Sequence, residues 1–179
     1  MSATDYQPRY NLDDWERLNL GAPDGLRYEL VDGLLVQCMA GSGAHQLAQT
    51  NLVALLHGPA RAHGCVAVVE SPLAFDDVNA RIPDVVVYCD GYDRSSFLQR
   101  NPCLIAEVLS PSSVGPDHDA KRKQYLALPS VRAYLIVDPV EHTISVRRAG
   151  EKLSYHYGEG DVIDLPCPPM GLEVAAVFA

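Results

Sequence analysis

No apolar run in the sequence comes near the roughly 20 residues that a helix needs to cross a bilayer. The longest, such as "VAAVFA" at 174–179, stop after a handful. The opening stretch, "MSATDYQPRYNLDDW", also lacks the basic-then-apolar order of a signal peptide. The expectation is a cytoplasmic protein with no membrane partner. Positive charge is in short supply as well: 14 lysines and arginines face 23 aspartates and glutamates, a formal net charge of -9. That balance argues against a protein that coats nucleic acid non-specifically, because such affinity comes from neutralising phosphates. A local basic groove is compatible with it, and so is an acidic site whose cations bridge to phosphate.

Several chemistries are missing their motifs. There is no CxxC pair, and the five cysteines, at 38, 65, 89, 103 and 167, are odd in number, far apart and mostly set among strand-like apolar residues. They read as reduced, buried thiols rather than a metal or redox site. "GSGAH" lacks the Lys-Ser/Thr ending of a phosphate-binding loop and reads as a turn and helix start. His57 and His63 miss the i, i+4 spacing of a helical metal pair, and no Ser-His-Asp or Cys-His arrangement can be argued.

What is present suffices for one domain: 179 residues, 47% of them hydrophobic and 21% charged. Asn11 ahead of Leu12, Asp13 and Asp14 predicts a helix cap with acids in the first turn, and a helix ending near Leu20. "LRYELVDGLLVQCM" predicts two short strands around Asp32-Gly33, with Glu29 on the first. Leu47, Leu52, Leu55 and Leu56 recur at helical spacing within 44–63. "CVAVVE" and "SPLAFDD" read as strands, and the continuous apolar runs "IPDVVVYC" and "PCLIAEVL" as strands buried on both faces. A helix then runs from Asp117 to Leu128, ended by Pro129, and "VRAYLIVDP" is the next buried strand. "HTISVRRAGEKLSYHY" predicts a hairpin with Gly150 in its turn, and "GLEVAAVFA" a short C-terminal helix. The order describes an α/β core of helices on a mixed sheet, over about 44–138.

Two of the buried strands each carry an acid. Asp84 follows Pro83 at the start of "VVVY", and Glu107 lies inside "LIAEVL". The interval holds one strand, a loop through "DGYDRSSFLQRN" and a return, so the two side chains can meet across neighbouring strands. A lone buried carboxylate is costly and two that meet repel, so such a pair calls for a cation or a shared proton. Mg²⁺ is commonly held by one or two carboxylates together with waters and substrate phosphates. Spacing alone leaves a second reading open, in which Asp84 ends a turn after proline and Glu107 pairs with an arginine. Leu109 shares the face of Glu107 by period-two alternation, so a basic residue at the site comes from elsewhere. Lys121, one turn before Tyr125 and about two before Leu128, lies on a helix face with core-type side chains. The alternative is a surface lysine whose stem lies along the protein. Arg122, Lys123, Arg132, Arg147 and Arg148 form either a phosphate-contacting rim or a solvated surface.

"YELVDG", "IPDVVV", "IAEVLSPSS", the series Asp117, Lys121, Tyr125, and "AYLIVDP", in that order, resemble the Uma-two family of restriction-type endonucleases, a branch of the PD-(D/E)xK nuclease superfamily. The likeness runs along nearly the whole chain. It implies a restriction-endonuclease-like core, a mixed central sheet flanked by helices, with an N-terminal helix-hairpin and a C-terminal β-hairpin added. It implies that Asp84 and Glu107 are ligands of Mg²⁺ or Mn²⁺, joined by Glu29 and by the backbone carbonyl of Val108. The superfamily lysine position is occupied here by Leu109, and the family pattern offers Lys121 from the helix instead. Glu29 matches an acid facing the same site, and His45 in "SGAHQ" matches a frequent family histidine. Ser110 and Ser112 shape the strand-to-helix loop.

The activity so implied is metal-dependent hydrolysis of DNA phosphodiester bonds, by a homodimer whose two sites act on two strands. RNA or single strands differ from this only in substrate. The net charge and the lysine missing at Leu109 motivate an alternative, an inactive nuclease-fold protein that serves as a binding or interaction module.

Overall fold

Asn11 starts the first helix through a reciprocal cap: its side chain accepts from the Asp14 amide, and the Asp14 carboxylate accepts from the Asn11 amide. In the computed structural model, which describes residues 8–23, 25–110 and 116–179, this helix is α1, Leu12–Leu20. β1 (Tyr28–Val31) and β2 (Leu34–Gln37) form the expected hairpin. Asp32 and Gly33 between them have φ of 49° and 78°, the left-handed pair that a two-residue hairpin turn requires. Then come α2 (Gly43–Ala62), β3 (Val66–Val69), β4 (Leu73–Asp76), β5 (Asn79–Arg81), β6 (Val85–Tyr88), β7 (Leu104–Val108) and α3 (Pro116–Ala127). The chain closes with β8 (Ala133–Asp138), β9 (Thr143–Arg148), β10 (Tyr155–Tyr157), β11 (Val162–Pro166), β12 (Pro169–Glu173) and α4 (Val174–Val177).

The central sheet has six strands in the order β10-β9-β8-β7-β6-β3, parallel at β7–β8 and antiparallel elsewhere. α3 supplies the crossover that a parallel pair needs. Every position of β6 and β7 is buried, which accounts for their unbroken apolar runs. Val85, Val87, Leu104 and Ala106 pack with Leu52 and Leu56 of α2 on one face. Val86, Tyr88 and Ile105 pack with Tyr125 of α3 and Tyr134 on the other. Among the described residues no helix is long and apolar enough to cross a membrane.

Three features depart from the sequence reading. The β1–β2 hairpin is extended by β5 and β4 into a four-stranded sheet of order β2-β1-β5-β4, under which Trp15 of α1 packs with Leu30 and Ala80. β5 is three residues long, too short for any periodicity to announce it. "GLEVAAVFA" divides between two elements: Gly171–Glu173 end β12, paired antiparallel with the unforeseen β11, and the expected short helix is confined to Val174–Val177. Four of the cysteines are not isolated thiols, since Cys65 is bonded to Cys89 and Cys103 to Cys167. Continuing the β3–β6 register of Val66 opposite Tyr88 sets Cys65 directly across from Cys89, a relation that sequence spacing does not express. Ser112 lies outside the described residues, as does the side chain of Asp117.

Candidate active site

Strand register brings the two acids together. Val85 faces Ala106 across the β6–β7 ladder, so one residue further Asp84 stands opposite Glu107. Alternation assigns both to the α3 face: Asp84 shares parity with Val86 and Tyr88, and Glu107 with Ile105. Asp84 is locked to the partner strand, its Oδ2 accepting from the Val108 amide at 2.6 Å. Glu107 is buried, and its Oε1 accepts from the Tyr125 hydroxyl at 2.6 Å and lies 3.5 Å from Lys121 Nζ. Lys121 is therefore not a surface lysine: α3 carries it inward, and Nζ also sits 3.1 Å from Glu29 Oε1.

Glu29, buried on β1, completes the group from the second sheet. Its Oε2 accepts from Arg81 Nη1 at 2.9 Å and its Oε1 from the Ile82 amide at 3.2 Å, while Arg81 Nε donates to Gln124 Oε1 at 3.0 Å. Among the described residues the cation beside Glu107 is thus a lysine, not the arginine of the second sequence reading, and Arg81 pairs with Glu29. Burial first, then the Asp84 and Glu29 charges, push the Glu107 carboxyl up to about 8 against the pull of Lys121. Tyr125 is raised well above its ordinary value by burial and by Glu107, so it remains a donor.

On the α2 side, His45 Nε2 lies 3.3 Å from Asp84 Oδ1, and this bond raises the histidine against the opposing effect of burial. Its ring abuts Gly41, where a Cβ would overlap Nδ1 and Cγ, so the absence of a side chain at Gly41 is what leaves room for the ring beside Asp84. Gln49 Nε2 donates to the Asp84 carbonyl at 3.0 Å, and the Glu70 amide does so at 3.1 Å. A cavity of about 270 Å³ opens here, lined by Arg27, Cys38, His45, Gln49, Glu70 and Asp84 among others. Burial and the Glu29 charge push the Cys38 thiol up to about 12, which removes it as a nucleophile. Arg147 and Arg148 do not rim this site, since they bond the Glu151 and Asp164 carbonyls near the C-terminal hairpins.

A family model, Uma2, described as "Putative restriction endonuclease", matches residues 12–177. The chain belongs to the Uma2 family. A curated relative, "Uncharacterized protein slr1290" of Synechocystis sp. (strain ATCC 27184 / PCC 6803 / Kazusa), is 29% identical over 160 residues, 85% of this chain and 83% of that protein. A second from the same organism, "Uncharacterized protein sll1609", is 40% identical over 67 residues, 34% of this chain and 38% of that protein. The crystal structure of a "putative nuclease belonging to DUF820" from Anabaena variabilis ATCC 29413 superposes with a TM-score of 0.79 at 18% identity, covering 94% of this chain and 97% of that one. The shared fold is α/β with a mixed central sheet.

The Uma2 site in this chain fits a hard divalent cation. Its donors are oxygens, and three buried or half-buried carboxylates, Glu29, Asp84 and Glu107, face two cations, Arg81 and Lys121. The hydrogen bonds made to Glu107 by the described residues end on Oε1, leaving Oε2 without a donor among them. Burial is the first cause of the rise to about 8, and the Asp84 and Glu29 charges outdo the pull of Lys121 enough that a further cation there would favour the ionised form. Sequence reasoning missed Arg81, Gln124, Gln49 and Glu70. Arg81 had a signal, a cation in "RIPD" close before an acid strand; Glu70 had one in its register, continuing Val69 opposite Val85 to Asp84.

Proposed function

We propose that this Uma2 protein is a metal-dependent nuclease that hydrolyses DNA phosphodiester bonds. The observation that carries the reading is the meeting of Asp84 and Glu107 at facing positions of β6 and β7, with Lys121 delivered by α3 to the same carboxylate. Asp84, Glu107 and the Val108 carbonyl are the groups that would hold Mg²⁺ or Mn²⁺, as the short bond from the Val108 amide to Asp84 keeps that strand end in place. The ion, when bound, acidifies a water and offsets charge on the phosphorane-like transition state. The chain's own residues do the positioning. Tyr125 and Lys121 on Oε1 orient the Glu107 carboxylate. Lys121 is close enough to orient the attacking water or to balance phosphate charge, and Arg81 holds Glu29 so that the lysine stays directed at the acids. His45 orients Asp84 and can move a proton at Nε2. Arg27 at the cavity mouth offers a contact to the phosphate backbone.

Lys121 at Glu107 removes one ground for an inactive module, the lysine missing at Leu109. Two strands call for two sites, so the reading extends to a homodimer, which light scattering of the purified chain checks. Supercoiled plasmid incubated with the protein and Mn²⁺ or Mg²⁺ should be nicked or linearised, and chelation should stop it. Cleavage no greater than that of the Asp84→Ala, Glu107→Ala double variant contradicts the proposal.

A further inference from the structure

Four cysteines from four separate parts of the chain converge at the far ends of the strands that bear the acids. Cys65 precedes β3, Cys89 follows β6, Cys103 precedes β7, and Cys167 lies in the turn between β11 and β12. They sit in the core on the α2 face, roughly 15 Å along the strands from Asp84 and Glu107. Cys65, Cys103 and Cys167 are buried and Cys89 is half-buried. The sulfurs of Cys89, Cys103 and Cys167 all lie within 4.8 Å of one another, and that of Cys65 is bonded to that of Cys89.

We propose that Cys65, Cys89, Cys103 and Cys167, when reduced, form a closed tetrathiolate site for a soft divalent ion such as Zn²⁺, tying the C-terminal hairpin to the central sheet. Zinc takes four thiolates at about 2.3 Å in a tetrahedron, which sets sulfurs about 3.8 Å apart. Cys89 Sγ already stands 3.4 Å from Cys103 Sγ and 3.3 Å from Cys167 Sγ, within a few tenths of an ångström of a tetrahedron edge. Those two distances are nearly equal, so Cys89 is off the S–S axis of Cys103–Cys167 along which disulfide exchange proceeds. The three sulfurs outline one face, and Cys65, bonded to Cys89 but outside that 4.8 Å group, supplies the fourth corner by turning its side chain once the bond to Cys89 is reduced. A cavity of about 320 Å³ lined by His57, Arg61, Cys65 and Arg94 opens beside the cluster. It offers an entry path, and its two arginines offset the charge of four thiolates around one divalent ion. Binding releases the thiol protons, and with every position protein-filled the ion is structural, distinct in place and ligand type from the oxygen site at Asp84.

The test uses the full chain under nitrogen. Two equivalents of a phosphine reductant convert the two disulfides to four thiols, each phosphine taking oxygen from water to become its oxide, and Co²⁺ is then titrated in. The expected result is one thiolate-bound Co²⁺ per chain, counted by sulfur-to-cobalt charge-transfer absorption and the visible bands of a tetrahedral site and bleached by Zn²⁺, whatever Co²⁺ the oxygen site also takes. Cys38→Ser and Glu107→Ala should keep that spectrum, and Cys103→Ser with Cys167→Ser should lose it. Should the double cysteine variant not fold, mass spectrometry of the alkylated wild-type chain decides: Zn²⁺ should protect Cys65, Cys89, Cys103 and Cys167. Disulfides that persist in the reductant, a reduced chain with no charge-transfer band, or thiols alkylated equally with and without Zn²⁺ overturn the proposal. A failure of DNA cleavage leaves this spectrum untouched, and the converse holds.

Discussion

Burying the Glu107 carboxyl beside Asp84 and Glu29 costs free energy that a proton or a cation recovers, and this gives the site a pH signature. Its folded-state pKa of about 8 lies above the ordinary value of 4.5, so the metal-free fold keeps a proton that the unfolded chain gives up. The stabilisation is complete below the unfolded pKa and is lost as pH rises through 8. In chelator, the melting temperature of the wild-type chain should therefore fall between about pH 5 and about pH 9. Glu107→Gln, which mimics the protonated form, should flatten most of that fall, and an unchanged slope in the variant contradicts the assignment. His45, raised by Asp84, adds a fall of the same sign that the variant keeps. Gly41→Ala tests the histidine separately. The new Cβ occupies the place of the ring and moves it off Asp84, so the His45 pKa, followed by its ring proton resonances, should drop toward the ordinary 6.5. A pKa that stays raised means the ring is held by something other than the space glycine leaves.

Among the elements, α3 and β5 do the assembling. One face of α3 presents Lys121 to Glu29 and Glu107, Gln124 to Arg81, and Tyr125 to Glu107, the i, i+3, i+4 spacing of a helix turned toward the sheets. β5 contributes Arg81, whose fully buried guanidinium pairs with Glu29. Arg81→Met leaves that carboxylate buried with less counter-charge and should destabilise the fold by about 3 kcal/mol in urea unfolding. Adding Glu29→Gln should recover part of the loss, and strict additivity of the two changes contradicts the pairing. The α3 face was legible in the sequence because Lys121, Tyr125 and Leu128 repeat at helical spacing. So was the meeting of Asp84 with Glu107, since two buried strands joined by one loop have few ways to pair. β5 was not legible: "NAR" has no periodicity, and only its pairing with β1 and β4 makes it a strand. The cysteine cluster escaped for a related reason, because it is built from register and hairpin docking over a separation of 64 residues between Cys103 and Cys167.

The whole molecule places two dissimilar sites on opposite faces and at opposite ends of one sheet. The acids gather where β6 begins and β7 ends, and the sulfurs where β6 ends and β7 begins. A net charge of -9 suits the proposed nuclease if its hold on DNA is to depend on a cation at the acids more than on a basic surface. That dependence is the central claim, and single-turnover cleavage of a labelled DNA duplex, measured against Mn²⁺ concentration, tests it most directly. The wild-type rate should rise with Mn²⁺ and saturate, and it should fall at least about 100-fold in Asp84→Asn and in Lys121→Gln while both variants stay folded. A rate that is independent of Mn²⁺, or equal in wild type and Asp84→Asn, contradicts the account.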